Sequence, residues 1–240
     1  MTNNDTLRLA LLAAASSLLV ACGGGDAAEE EAETPEVAEE TAAAETEPAE
    51  PDSIPAPEGS LAAGPMIIGA EDAPLTIIEY ASVTCPGCRL FHQRVYPTVK
   101  EQFIDTGKVR FEYRELPTSP QRLAVAGFIV ARCAATEGGP EAYMGVVDAL
   151  YQRQNDWVRG PNPAQEFNNI AAQVGLSGKA FEDCFKREDI REAIAESVEE
   201  AGEDGATGTP SFFIDGRTFS MPSDPEAAAE ALQAEVDKRS

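Results

Sequence analysis

Leu75-Thr76-Ile77-Ile78-Glu79-Tyr80-Ala81-Ser82-Val83-Thr84-Cys85-Pro86-Gly87-Cys88 is the stretch from which the rest of the chain can be read. Its first six residues are of β type and apolar on both faces except for Thr76 and Glu79, the signature of a central strand. Leu90, Phe91, Val95 and Val99 then recur at helical spacing, so the two thiols fall at a strand-to-helix switch. In a first helical turn two side chains three apart lie on one side, close enough to bridge. The first sulfur sits over unpaired backbone N–H groups and the positive end of the helix dipole, which favours thiolate. Pro86 suits such a start, because its missing N–H is not needed there. A C-x-x-C pair can also be half of a zinc site. Here there is no second C-x-x-C, and the only histidine, His92, lies one helical turn beyond Cys88. The motif therefore points to a dithiol that opens and closes, with no metal and no cofactor.

Met66-Ile67-Ile68-Gly69 is a short strand candidate upstream of this stretch. Downstream, Pro97 is expected to kink or split the helix that follows the dithiol. Val109 to Leu116 alternates like a half-buried strand that Pro117 ends, completing a strand–helix–strand unit. Residues 119 to about 204 read as helical, in segments 121–135, 141–152, 163–174, 179–185 and 189–203. Trp157 falls in the expected Asn155–Pro163 loop, as a core plug. Ser211 to Phe219 reads as two short strands around Asp215-Gly216, a hairpin. Ser223-Asp224-Pro225 caps a last helix to about Lys238, with Leu232 and Val236 inward. Sheet elements gathered around a helical insertion make an α/β domain over residues 61–240.

The charge is unevenly spread. The net is −24, yet Asp26 to Glu58 alone hold thirteen acids and no base. From residue 59 onward there are 28 acids and 17 bases, a net of −11. No basic stripe is available to neutralise phosphates, which excludes nucleic acid as a partner. Ahead of this segment, Leu9 to Val20 is apolar for 12 residues, too short to span a membrane and suited to a secretory signal. It ends in Leu19-Val20-Ala21-Cys22, which resembles the lipobox of bacterial lipoproteins. That resemblance implies a signal peptide over 1–21 and a lipidated Cys22; the alternative is an ordinary signal cut nearby, leaving a free thiol. The Ala/Glu/Thr/Pro segment after Gly23-Gly24-Gly25, within 22–60, cannot support a core and reads as a disordered, self-repelling tether. About 35 residues would reach roughly 30–35 Å as a coil and about 115 Å fully stretched.

The order of elements, with Cys85-Pro86-Gly87-Cys88 near its start and Thr209-Pro210 near its end, resembles the thioredoxin fold with an inserted all-helical subdomain. More narrowly it is similar to the DsbA-like thiol–disulfide oxidoreductases, over about residues 61 to 240 with the insertion at about 119–204. The resemblance implies that Cys85 is the exposed nucleophile and Cys88 its buried resolving partner. Pro210 matches a cis-proline facing the dithiol, where the backbone of Thr209 would receive an extended substrate chain; the alternative is a trans proline starting a strand. Glu79 matches a buried acid that moves the resolving thiol's proton in some members. A carboxylate in an apolar strand is costly unless paired or protonated, although an edge position meeting solvent would also account for it. One departure stands out. Strongly oxidising members carry His before the second Cys, and here that place is Gly87, so Cys85 is expected to be less acidic and the disulfide less oxidising than in those members.

Two further thiols, Cys133 and Cys184, lie in the helical block. In an oxidising compartment they are expected to bridge as a structural disulfide, the alternative being two separately buried small side chains. The implied activity is exchange of thiols and disulfides with exported proteins, in the periplasm, with a membrane redox partner and a membrane anchor through Cys22. Oxidation is the expected direction, and reduction or isomerisation would use the same residues. A non-enzymatic groove for extended peptides beside Pro210 is the contrasting reading.

Overall fold

The computed structural model describes residues 53–239; the signal segment, Cys22 and most of the expected tether lie outside them. A five-stranded mixed sheet has the order β1-β3-β2-β4-β5. Strand β2 (Leu75–Ala81) is central, as its apolar character requires, and runs parallel to β3 (Val109–Glu115), with Glu79 opposite Tyr113. Strand β1 (Met66–Ile68) adds antiparallel to β3, while β4 (Ser211–Ile214) pairs antiparallel with β2 and with β5 (Arg217–Phe219). Asp215 and Gly216 both take positive φ in the turn between them, which is why this hairpin carries Asp-Gly.

The strand-to-helix switch falls where the pattern placed it. Helix α1 (Pro86–Arg94) starts directly after Cys85. Pro97 splits the helical run as expected: α1 stops at Val95, α2 (Tyr96–Val99) carries Pro97 in its first turn, and a π-helical turn, Lys100–Ile104, follows. The expected helices 121–135 and 141–152 are both present and meet within α3 (Gln121–Gln152) across a kink at Gly139, whose φ of 61° and ψ of −158° precede Pro140. Trp157 is not in a loop: it is fully buried on α4 (Gln154–Arg159), a helix too short for periodicity to reveal. Helices α5 (Pro163–Gln173), α6 (Gly178–Cys184) and α7 (Glu188–Asp204) complete the insertion. Helix α8 (Pro225–Asp237) is capped by Asp224, whose carboxylate accepts from the N–H groups of Glu226 and Ala227.

The sheet separates two apolar regions. Leu75, Ile77, Val109, Phe111 and Phe212 face the main core with Phe91, Tyr96, Phe128 and Leu232. On the other face Tyr80 and Phe213 pack with Ala201 of α7 in a small second cluster. One buried charge pair ties the layers together. Glu115, at the end of β3, accepts from Arg132 Nε at 2.6 Å, Arg132 Nη2 at 2.8 Å and the Tyr143 hydroxyl at 3.0 Å. Its backbone carbonyl accepts from Ser197 at 3.0 Å, and Arg132 Nη1 also donates to the carbonyls of Ala62 and Gly64. Cys133 and Cys184 are joined by a disulfide that links α3 to the end of α6. Beside it Ile54 N–H donates to the Lys186 carbonyl at 3.0 Å and Ser60 Oγ accepts from Arg187, so ordered chain precedes Leu61. Among the described residues no helix is long and apolar enough to cross a membrane.

Candidate active site: the dithiol and its surroundings

Ser82-Val83-Thr84 carries the chain from β2 to the dithiol and is pinned from several sides. Ser82 Oγ accepts from the Thr118 N–H at 3.1 Å, and the Thr84 hydroxyl bonds the Thr118 carbonyl at 3.1 Å. From the insertion, Gln154 Nε2 donates to the carbonyls of Val83 at 2.8 Å and Cys85 at 3.0 Å, while the Tyr151 hydroxyl donates to the Ser82 carbonyl. Sequence reasoning missed Gln154 and Tyr151, because nothing local marks a polar side chain that will reach a distant loop.

Cys85 occupies the position just before α1 and is half-buried, whereas Cys88 is wholly buried beneath it. The Thr209–Pro210 bond is cis, and the Thr209 carbonyl lies 3.3 Å from Cys85 Sγ. The two halves of the site, 124 residues apart, are thereby brought together. The Cys85 thiol is pulled down to about 5, first by a hydrogen bond from Cys88, against the opposing effect of burial, and further by Thr209 and the N–H groups of Cys88 and Gly87. Cys88 moves the other way: burial, the hydrogen bond to Cys85 and the charge of Glu79 push it well above the ordinary thiol range. One sulfur is set up as the thiolate and the other as its proton-bearing donor.

Gly87 is packed, not merely small. A Cβ there would lie 3.1 Å from Cδ of Pro210 and 3.6 Å from Cys85 Sγ.

Glu79 is fully buried, so the edge position meeting solvent does not apply. Its Oε2 lies 2.8 Å from His92 Nε2, and the His92 ring stacks on Tyr151 and packs at a tilt against Tyr96. Burial alone would lower the basicity of His92, but the charges of Glu79 and Asp148 outweigh it and raise the imidazole to about 9. This pairing was not legible beforehand. The i, i+4 spacing of Cys88 and His92 puts both on one helix face, but only the fold shows that Glu79 lies under it.

A family model described as thioredoxin matches residues 62–234. A protein of Rickettsia typhi named as a protein-disulfide oxidoreductase is 29% identical over 178 residues, 72% of this chain and 64% of its own length. A Rickettsia felis protein of the same name is 29% identical over 177 residues, 72% of this chain and 62% of its own length, so the chain spans less than two thirds of these relatives. Among solved structures, alpha-DsbA1 of Wolbachia pipientis matches with a TM-score of 0.63 at 26% identity, over 73% of this chain and 92% of that one. BdbD from Bacillus subtilis shares the fold, with a TM-score of 0.62 at 19% identity over 75% of this chain and 96% of that one. With its sheet order, its helical insertion and its cysteine pair beside Thr209-Pro210, the chain is similar to the DsbA-like proteins, and it belongs to the thioredoxin family.

Proposed function

We propose that the chain exchanges thiols and disulfides with exported proteins through Cys85 and Cys88, in the oxidising direction. The observation that carries this reading is the division of acidity: a half-exposed sulfur at about 5 beside Thr209-Pro210, above a buried thiol pushed the other way. In oxidation a substrate thiolate attacks Cys85 of the Cys85–Cys88 disulfide and Cys88 leaves. A second substrate thiolate then attacks the substrate sulfur of the mixed disulfide, which releases Cys85 as thiolate. A leaving thiolate of low pKa departs readily, which favours this direction. The backbone at Thr209 would hold the substrate chain extended across the cleft, with Glu79 moving the proton of Cys88. The Bacillus subtilis relative named disulfide bond formation protein D, 19% identical over 177 residues, is in keeping with an oxidising role.

The location belongs to the same proposal. Leu9 to Val20 and the run into Cys22 support export to a periplasm and a lipid anchor, with the acidic stretch as spacer and a membrane partner re-oxidising the dithiol. Reduction or isomerisation is the second reading, and Gly87 favours it, since no imidazole charge is supplied beside Cys85.

The test is trapping. With Cys88→Ala, exported proteins should accumulate as mixed disulfides on Cys85. Absence of any adduct, with peptide binding that persists without Cys85, would sink the enzymatic reading in favour of a binding groove. Equilibration of the wild-type dithiol against glutathione then sets the direction: about −120 mV marks a strong oxidant and about −270 mV a reductant.

A further inference from the structure

Resting on the reading of Cys85 and Cys88 as an exchanging dithiol, we propose that Glu79, His92 and Asp148 form a proton path from the Cys88 thiol to solvent, opening into a groove separate from the cleft at Cys85. The need for a path follows from burial. When Cys88 attacks a mixed disulfide on Cys85, its S–H electron pair forms the Cys85–Cys88 bond, the bond from Cys85 to the substrate sulfur breaks, and the substrate leaves as thiolate. One proton must depart. In the opposite direction Cys88 leaves Cys85 as thiolate and one proton must arrive. Neither Cys88 nor Glu79 exposes any surface, so bulk water cannot serve as the immediate acceptor or donor.

The residues lie in sequence along such a route. Cys88 and His92 lie one helical turn apart on α1, His92 meets Glu79 of β2, and the charge of Glu79 reaches Cys88. His92 Nε2 is 2.8 Å from Glu79 Oε2, and His92 Nδ1 is 3.7 Å from Asp148 Oδ1 on α3. Asp148 is the first member with solvent access: its side chain is 44% exposed and borders a groove of about 630 Å³ with Tyr96, Lys100 and Met144. None of Cys85, Cys88, Thr209 or Pro210 lines that groove. Two buried atoms of the Glu79–His92 pair lack a hydrogen-bond partner, Oε1 of the carboxylate and Nδ1 of the ring. A pair held only for stability would be expected to have both satisfied. A relay needs both: Oε1 open to receive a proton, and Nδ1 open to pass one on.

The groups facing His92 are Glu79 from β2, Asp148 and Tyr151 from α3, Tyr96 from α2 and Tyr113 from β3. Burial pushes all three tyrosine hydroxyls far up, so they stay neutral and the carboxylates alone set the charge of the ring. Cys88 passes its proton to Glu79, and the imidazolium releases its Nδ1 proton through Asp148 to solvent, which leaves Glu79 protonated and the ring neutral with its proton on Nε2. A turn of the ring that brings the vacant nitrogen to Glu79 lets it take that proton and restores the charged pair, and one proton has then moved from Cys88 to solvent.

The test uses the full chain carrying 2-nitro-5-thiobenzoate on Cys85, with release of the coloured thiol as the signal of Cys88 attack. Asp148→Asn cuts the solvent end while leaving the Glu79–His92 contact in place. Between about pH 6 and 7, below ordinary thiol ionisation, it should slow release by about tenfold or more. Its solvent isotope effect should rise, and added imidazole or the Asp148→Glu variant should restore the rate, with the unfolding midpoint unchanged. A purely electrostatic role predicts the reverse sign, because removing a negative charge eases formation of the Cys88 thiolate. Release that is unchanged or faster in Asp148→Asn overturns the path. If the wild type releases no thiol, or Cys88→Ala releases it equally well, the dithiol reading fails instead.

Discussion

Cys85 owes its acidity to a hydrogen bond from Cys88 and to backbone N–H groups at the start of α1, with no cationic side chain among the causes of its shift. The pH dependence follows from the direction of that shift. Because the folded pKa is depressed, the thiolate stabilises the reduced fold above the ordinary thiol range, and this contribution is lost as pH falls through about 5. Alkylation of the reduced protein by iodoacetamide should therefore show an inflection near 5 from Cys85, with Cys88 unreactive well past neutrality. Cys88→Ala should move that inflection upward, since it removes the largest cause; an unmoved inflection would assign the acidity to the backbone and the helix terminus instead. The sulfur pair was legible in the sequence because its logic is local, a few residues at a strand end. The Glu79–His92 contact was not, since it is made across two elements, and in the sequence His92 is a lone histidine one helical turn beyond the motif.

Among the elements, α3 is two helices that meet at a kink, in keeping with the separate segments 121–135 and 141–152 expected from the sequence. Gly138, Gly139 and Pro140 fall at that kink, and helical chain lies on both sides of Gly139. Its positive φ is what lets the break stay within one element. Gly139→Ala places a Cβ 3.3 Å from Leu61 Cδ1 in a backbone conformation that L side chains rarely adopt. Loss of about 1 kcal/mol or more in urea denaturation is expected, with thiol exchange retained, because the break touches neither Cys85 nor Cys88. Helix α4, by contrast, went unread. Its six residues carry no usable period and fall largely within the stretch expected as a loop, Asn155–Pro163. The strands were easier, since β3 alternates buried and half-buried residues along its whole length.

For the molecule as a whole, the Cys133–Cys184 bridge spans 51 residues and clamps the insertion on itself. Opening it by a paired Cys133→Ala, Cys184→Ala change should cost about 4 kcal/mol in the chain-entropy model, read as a lower thermal midpoint, while Cys85 alkylation keeps its pH profile. A shifted profile would mean that the bridge reaches the dithiol. Glu115 carries a consequence for how this architecture can be altered. A single carboxylate at the end of β3 takes its partners from Arg132 and Tyr143, on opposite sides of the α3 break, and its carbonyl is met by Ser197 of α7. Losing Arg132 while α3 and α7 still cover Glu115 would leave that charge buried and bare, a loss worth several kcal/mol. The helical block is thus poorly suited to piecemeal change. Whatever alters Arg132 must also neutralise or uncover that one carboxylate.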